Sequence, residues 1–160
     1  MKVWVDSSFD EFRKVAGIGL YIEDGARQKV VSNWIPCPSN NYAELYAVYI
    51  GAILSHGNGA TIYTDSECAL DYVKNRVRNK ERTPEQYKIH QMMRVLAYKI
   101  RALKPTVEKV KAHSRQVKML EIGSNMADTV ARQGRAKYYA SQKNCAKFVQ
   151  ILRKESGKNA

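Results

Sequence analysis

The chain has 160 residues, about one domain, and its 44% hydrophobic and 26% charged residues describe a globular protein with a single core. No run approaches the roughly 20 apolar residues that cross a bilayer, and the opening MKVWVD has no basic stretch leading into an apolar one, so neither a membrane-spanning nor a secreted protein is expected. Twenty-seven Lys and Arg against fifteen Asp and Glu give +12, the electrostatic footprint of a partner rich in phosphate.

The excess is uneven. Residues 129–160 hold eight basic residues and one acid, and Lys74, Arg76, Arg78, Lys80 and Arg82 form a second cluster broken only by Glu81. Either cluster alone also reads as a solvated surface, whereas the two together favour nucleic acid. A lipid surface is the weaker reading, because Lys143–Lys158 is interrupted by Asn, Gln and Ser and offers only Phe148, Val149, Ile151 and Leu152 as anchors. Cys37, Cys68 and Cys145 are odd in number and form no C-x-x-C pair, against a disulfide framework or a thiolate zinc site. They are expected to be buried small apolar groups in a reducing, cytoplasmic setting.

In chain order, Val3 and Val5 alternate with Trp4 and Asp6, the period of a strand with Asp6 at its end. VAGIGLYI (15–22) and KVVSNWI (29–35) read as two more strands around the turn Glu23-Asp24-Gly25, giving a three-stranded meander. Pro36 and Pro38 stop it, and Asn40-Asn41 open a helix to about Ser55, an Asn side chain accepting from the first turn. The second half alternates: strand ATIYT (60–64), a helix from about Ser66, the basic loop, a helix from about Pro84 to Leu103, and strand TVEKVKA (106–112). That rhythm predicts α/β architecture with a largely parallel second half of the sheet. A loop over Ser114–Ser124 is expected next, then helices over Met126–Ala136 and Tyr138–Arg153.

Four acids fall at element ends where the sheet and helices converge. Asp6 ends a strand, Asp65 follows one, and Glu44 and Asp128 sit in the first turns of helices. Glu44 shares its helix face with Ala47, Val48 and Gly51, small enough to pack on a sheet and aim the carboxylate inward. Singly, each acid has an ordinary reading as a turn residue, helix cap or first-turn charge. Together they form a set of hard oxygen ligands that suits Mg²⁺ or Mn²⁺.

VWVDSS, NNYAEL, IYTDS, VKAHS and NMADTVAR, in this order and spacing, resemble the five motifs of type 1 ribonuclease H and its retroviral relatives over about residues 1–135. The resemblance implies a ribonuclease H-like α/β fold, a five-stranded mixed sheet of order 3-2-1-4-5 flanked by helices, here with an extra C-terminal helix. Residues 1–136 would form the catalytic domain and 137–160 a basic helical extension of it. It further implies a metal-dependent endonuclease that cuts the RNA strand of RNA/DNA hybrids and leaves 5′-phosphate and 3′-hydroxyl ends. Two Mg²⁺ ions, or Mn²⁺, would be held by Asp6, Glu44, Asp65 and Asp128, with Asp6 bridging, and no small-molecule cofactor is expected. His113 matches a mobile histidine of proton transfer or product release, a task suited to its ordinary pKa. Asn40 and Asn41 would approach the minor groove, Ser7 and Ser66 a phosphate or sugar, and Lys74, Arg76, Arg78, Lys80 and Arg82 match a basic handle on the hybrid. A monomer is expected.

The sequence departs from the family at three places. Ser7-Ser8 runs into Phe9-Asp10-Glu11, altering the turn beside Asp6 and adding acids that compete as ligands. The segment from His113 to Asp128 is about five residues longer than the family's, with Ser124 where an Asn is usual. Glu67 stands at a position usually neutral, which weakens phosphate binding unless a basic neighbour meets it. Tyr138 and Tyr139, with Lys137 and Lys143, either stack on a strand of substrate or pack on the sheet. A same-fold nuclease for branched DNA or double-stranded RNA, and a non-cleaving binding module, are the alternatives.

Overall fold

In the computed structural model, residues 1–110 and 118–158 are described. Five strands, β1 (Lys2–Asp10), β2 (Val15–Asp24), β3 (Arg27–Pro36), β4 (Thr61–Thr64) and β5 (Thr106–Lys109), form one sheet of order β3-β2-β1-β4-β5. β1–β2 and β2–β3 pair antiparallel as a meander, and β1–β4 and β4–β5 pair parallel. The fold is thus the α/β sheet and order that the motifs imply. Each parallel crossover carries helix: α1 (Asn40–Ser55) before β4, and α2 (Glu67–Val73) and α3 (Pro84–Ala102) before β5.

Strand alternation divides the core between the two faces. Val3, Val5, Ile18, Leu20 and Ile62 are buried in the larger cluster with Val48 of α1 and Leu96 and Ile100 of α3. Trp4, Tyr21 and Val110 form a smaller cluster on the other face with Ala127 of α4 (Lys118–Lys158). Tyr63 packs against that second cluster, its ring stacked on Trp4 at 5.3 Å between centroids.

α4 lies across β1, β2 and β3 with its backbone almost on the sheet. A Cβ on Gly19 would stand 2.2 Å from the Ala131 amide nitrogen, and one on Gly123 would stand 2.2 Å from Cε2 of Trp4. Glycines from both partners therefore remove the side-chain layer that normally separates helix from sheet. Among the bonds that fasten the contact are those from Ser32 Oγ to the Val130 carbonyl (2.9 Å), from Arg135 to the Phe9 carbonyl (3.2 Å) and from Lys137 Nζ to the Ser32 carbonyl (2.7 Å).

Several local expectations are corrected. The two helices expected over 126–136 and 138–153 are one helix that begins at Lys118, so residues 118–124 are not loop and the C-terminal extension continues α4. Gly123 reads as a loop signal in the sequence, yet here it is the residue that lets the helix pass over Trp4. α1 is capped by Ser39, whose hydroxyl accepts from Tyr42 N at 3.2 Å, rather than by an Asn. β1 runs on through Ser7-Ser8-Phe9-Asp10, so these residues form strand and not an altered turn. Cys37 is buried, as expected, but Cys145 is exposed on α4. No helix among the described residues is long and apolar enough to cross a membrane.

Because a β-carbon at residue 19 meets backbone atoms that cannot rotate away, Gly19→Val is expected to destabilise the protein by about 3 kcal/mol or more in urea denaturation. A loss under about 1 kcal/mol would show that α4 does not rest on this strand.

Candidate metal centre

β1 and β4 are adjacent and parallel, but the chain leaves β1 toward β2 on one side and returns to β4 on the other. Ligands of α/β sheets gather beyond the carboxyl ends of strands at such a switch point. The last paired residues are Trp4 and Tyr63. Two residues further along each strand the same register brings Asp6 beside Asp65. Asp65 follows directly on β4, where the buried Thr64 accepts the Ser66 amide at 3.2 Å and turns the chain away from the sheet. The Ser66 hydroxyl accepts from Ala69 N at 3.1 Å and so caps α2.

Glu44 reaches the same corner from α1. It lies in the second turn of that helix, not the first, among buried Ala43, Ala47 and Val48. One carboxylate oxygen each of Asp6, Glu44 and Asp65 lie within 4.8 Å of one another. Glu44 is buried, Asp6 half-buried and Asp65 exposed, so the cluster opens to solvent on the Asp65 side.

Like charges this close resist ionisation. Burial first, then the Asp65 charge, pushes the Asp6 carboxyl up to about 7. Burial and then the Asp6 charge push Glu44 up to about 8. Ser7 relieves part of this by donating its hydroxyl to Glu44 Oε1 at 2.8 Å. The other oxygen, Oε2, is buried without a hydrogen-bond partner among the described residues. A buried carboxylate oxygen left unpaired beside two more carboxylates is costly unless a cation joins them, so the donor set fits a hard divalent ion.

The remaining expected residues take different places. Asp128 lies outside the trio and not in a first turn: it is well inside α4, where Arg132 one turn on pairs with it at 2.5 Å. Its charge nonetheless helps to raise Asp6, so it stands at the edge of the cluster. The Ser7 hydroxyl is buried on Glu44 instead of facing a ligand, a correction forced by strand alternation, which turns residue 7 toward α1 and residue 6 toward α4. His113 lies outside the described residues. Asn40 and Asn41 are exposed at the start of α1.

Of the two competing acids, Glu11 is exposed in the turn after β1 and Asp10 is engaged elsewhere. Asp10 accepts the Tyr139 hydroxyl at 2.6 Å and pairs with Arg13 at 3.1 Å; the Tyr139 bond first, with the Arg13 contacts, holds it down at about 2. Tyr139 also lies under Arg13, and Tyr138 meets Trp34 edge-on at 4.9 Å, so both tyrosines pack on the sheet. Glu67 pairs with Lys109 of β5, which neutralises its acid on the open face. In the basic loop Arg76 pairs with Asp71 at 3.1 Å, whereas Arg82 donates to the carbonyls of Lys80 and Arg78. Sequence reading missed Arg132 and the Ser7–Glu44 bond. The first was visible as an acid and a base four apart on a helix, and the second joins residues 37 apart and had no local signal.

Comparison with known proteins gives the same fold. The structure is similar to RNase H1 from the halophilic archaeon Halobacterium salinarum NRC-1, with a TM-score of 0.60 at 15% identity over 85% of this chain and 97% of that one. It is similar to LC11-RNase H1, solved in complex with an RNA/DNA hybrid, with a TM-score of 0.60 at 18% identity over 86% and 98%. The prototype foamy virus protease-reverse transcriptase gives 0.55 at 19% over 83% of this chain but 20% of that one. No curated protein matches the sequence significantly. The RNase H family matches residues 1–136, and with 136 of 160 residues inside that match the chain belongs to the RNase H family of enzymes.

Proposed function

We propose that the protein hydrolyses the RNA strand of RNA/DNA hybrids endonucleolytically, with divalent metal, and leaves 5′-phosphate and 3′-hydroxyl ends. The observation that carries this reading is the three-carboxylate corner at the β1/β4 switch point, with a buried Glu44 oxygen that no donor among the described residues meets. Family membership and the hybrid held by the LC11 neighbour support the substrate class.

Asp6, Glu44 and Asp65 would hold the ions, with Asp6 in the middle, and Asp128 would join them by exchanging Arg132 for a cation. Two Mg²⁺ ions, or Mn²⁺, would supply activation of a water and stabilisation of the leaving oxygen of the phosphodiester. Ser7 fixes the Glu44 carboxylate through Oε1 and leaves Oε2 for a cation. His113 carries a proton toward or away from the reaction. Asn40 and Asn41, exposed at the head of α1, meet ribose hydroxyls, the groups that distinguish RNA from DNA. Ser66, Lys74, Arg76, Arg78, Lys80 and Arg82 contact phosphate or sugar of the hybrid without reading sequence. The protein acts as a monomer in a cytoplasmic compartment.

Incubation with a labelled hybrid and matched RNA/RNA and DNA/DNA duplexes, in Mg²⁺, Mn²⁺ or EDTA, tests the reading. Metal-dependent cutting of the hybrid's RNA strand alone is expected, and preferential cutting of another duplex would reassign the substrate. Asp65→Asn should lower cleavage about a hundredfold or more, about 2.7 kcal/mol of barrier, while hybrid binding persists. Unchanged cleavage by that variant would remove Asp65 from the metal site.

The crowded carboxyls also predict a stability profile. Their folded pKa values, about 7 for Asp6 and about 8 for Glu44, exceed the ordinary 3.8 and 4.5. Stability from this source is therefore complete below about pH 4 and is lost as pH rises through 7 and 8. Metal-free protein should melt roughly 5 °C or more lower at pH 8.5 than at pH 6, and millimolar Mg²⁺ should restore more at pH 8.5 than at pH 6. Asp6→Asn should raise the metal-free melting temperature at pH 8.5 and blunt the Mg²⁺ response. A metal-free profile flat across this range would contradict the crowding.

A further inference from the structure

Away from the carboxylates, the loop between α2 and α3 borders three adjoining, half-open cavities of about 790, 540 and 400 Å³, and His90 lines all three. The 540 Å³ cavity lies among Lys80, Arg82, His90 and Arg94. Among the described residues no carboxylate lines it, nor the 400 Å³ cavity, which Arg94 and Arg101 border. The largest cavity does hold two acids, Asp71, which is paired with Arg76, and Glu81. At the 540 Å³ cavity three cations thus converge on one imidazole without an anion among the described residues that line it.

The hydrogen bonding prepares that imidazole. Tyr72 is buried, and its hydroxyl lies 2.6 Å from His90 Nδ1. Arg101 holds the Tyr72 carbonyl at 2.8 Å, and Arg82 also addresses the Tyr72 hydroxyl, so the tyrosine is fixed from two sides. With the ring neutral and Tyr72 donating to Nδ1, the proton is assigned to Nε2, which becomes a second donor beside the guanidinium groups. Arg82 spends two of its five N–H donors on the Lys80 and Arg78 carbonyls. Partial burial first, then Arg82, Arg94 and Lys80, lowers the His90 pKa, as expected where positive potential has no counter-charge.

We infer that this space is a phosphate-binding pocket, built from His90 with Lys80, Arg82 and Arg94, separate from the metal corner. Paired guanidinium groups match the tetrahedral oxygens of phosphate, and a histidine held by a buried tyrosine adds a directed donor that a solvated basic loop lacks. The phosphate belongs either to a strand that runs on from the metal corner or to a free nucleotide. The pocket does not depend on the proposed cleavage activity, because its occupancy is read without turnover.

The test follows the imidazole resonances of His56, His90 and His113 by heteronuclear NMR in the full chain, in EDTA, during titration with inorganic phosphate against chloride at matched ionic strength. A saturable shift confined to His90 is expected, weakened about tenfold or more by Arg94→Gln and unaffected by Lys29→Gln on β3. Arg94 is exposed, so its replacement leaves the fold intact. A shift that does not saturate, or that Arg94→Gln leaves unchanged, means an adventitious ion only and overturns the pocket. Competition then separates the sources. Displacement of phosphate by a 20-base-pair hybrid identifies a strand phosphate, and displacement by a mononucleotide 5′-phosphate but not by hybrid identifies a free nucleotide. Displacement by neither overturns the assignment to phosphate esters.

Discussion

Mutual repulsion of three carboxylates is the constraint around which this protein is arranged. Asp6, Glu44 and Asp65 come from three elements that meet at the β1/β4 switch point, and each depends on a different piece of backbone for its place. Parallel register sets Asp6 beside Asp65, helix packing brings Glu44 under them, and Ser7 donates to Glu44 from the opposite face of β1. Such a cluster does not stabilise the fold. It holds pKa values high and is sustained by the core on both sides of the sheet, as strain at functional sites commonly is.

α4 solves a second problem, how to bring a fourth acid near that corner. Contact through Gly19 and Gly123 seats its backbone close to β1 and β2, and Asp128 then stands near Asp6 while Arg132 neutralises it. Farther along, Tyr138 and Tyr139 pin the helix to Trp34 and Asp10 at the far end of β1. Beyond them the same helix carries the basic C-terminal segment away from the sheet. At 41 residues α4 is about 60 Å long. A sheet whose strands are at most ten residues covers only part of it.

Charge is distributed to match. Three acids outside the corner are individually cancelled, Glu67 by Lys109, Asp71 by Arg76 and Asp10 by Arg13 with Tyr139. Lys80, Arg82 and Arg94 gather beside His90. A net positive surface with local anionic spots filled and one anionic corner kept open is the electrostatic form expected where a polyanion meets metal-binding carboxylates.

The sequence by itself determined the five strands, their order through the motif resemblance, the two faces of β1 and the acids of the corner. All of these follow from local periodicity and from residue types at element ends. Its errors have a common origin. Gly123 reads as a loop residue and stands in a helix, Asn40 reads as a cap where Ser39 serves, and Ser7, a ligand contact by the resemblance, supports Glu44. Each depends on what lies across from the residue in space. Only the tertiary structure decided that α4 is continuous, that Asp128 is held by Arg132, and that His90, a plain mid-helix histidine in the sequence, faces Tyr72 and a ring of cations. Local sequence specifies backbone propensity and the pattern of faces, but hydrogen-bond partners and close backbone contacts join residues far apart in the chain, and only packing brings them together.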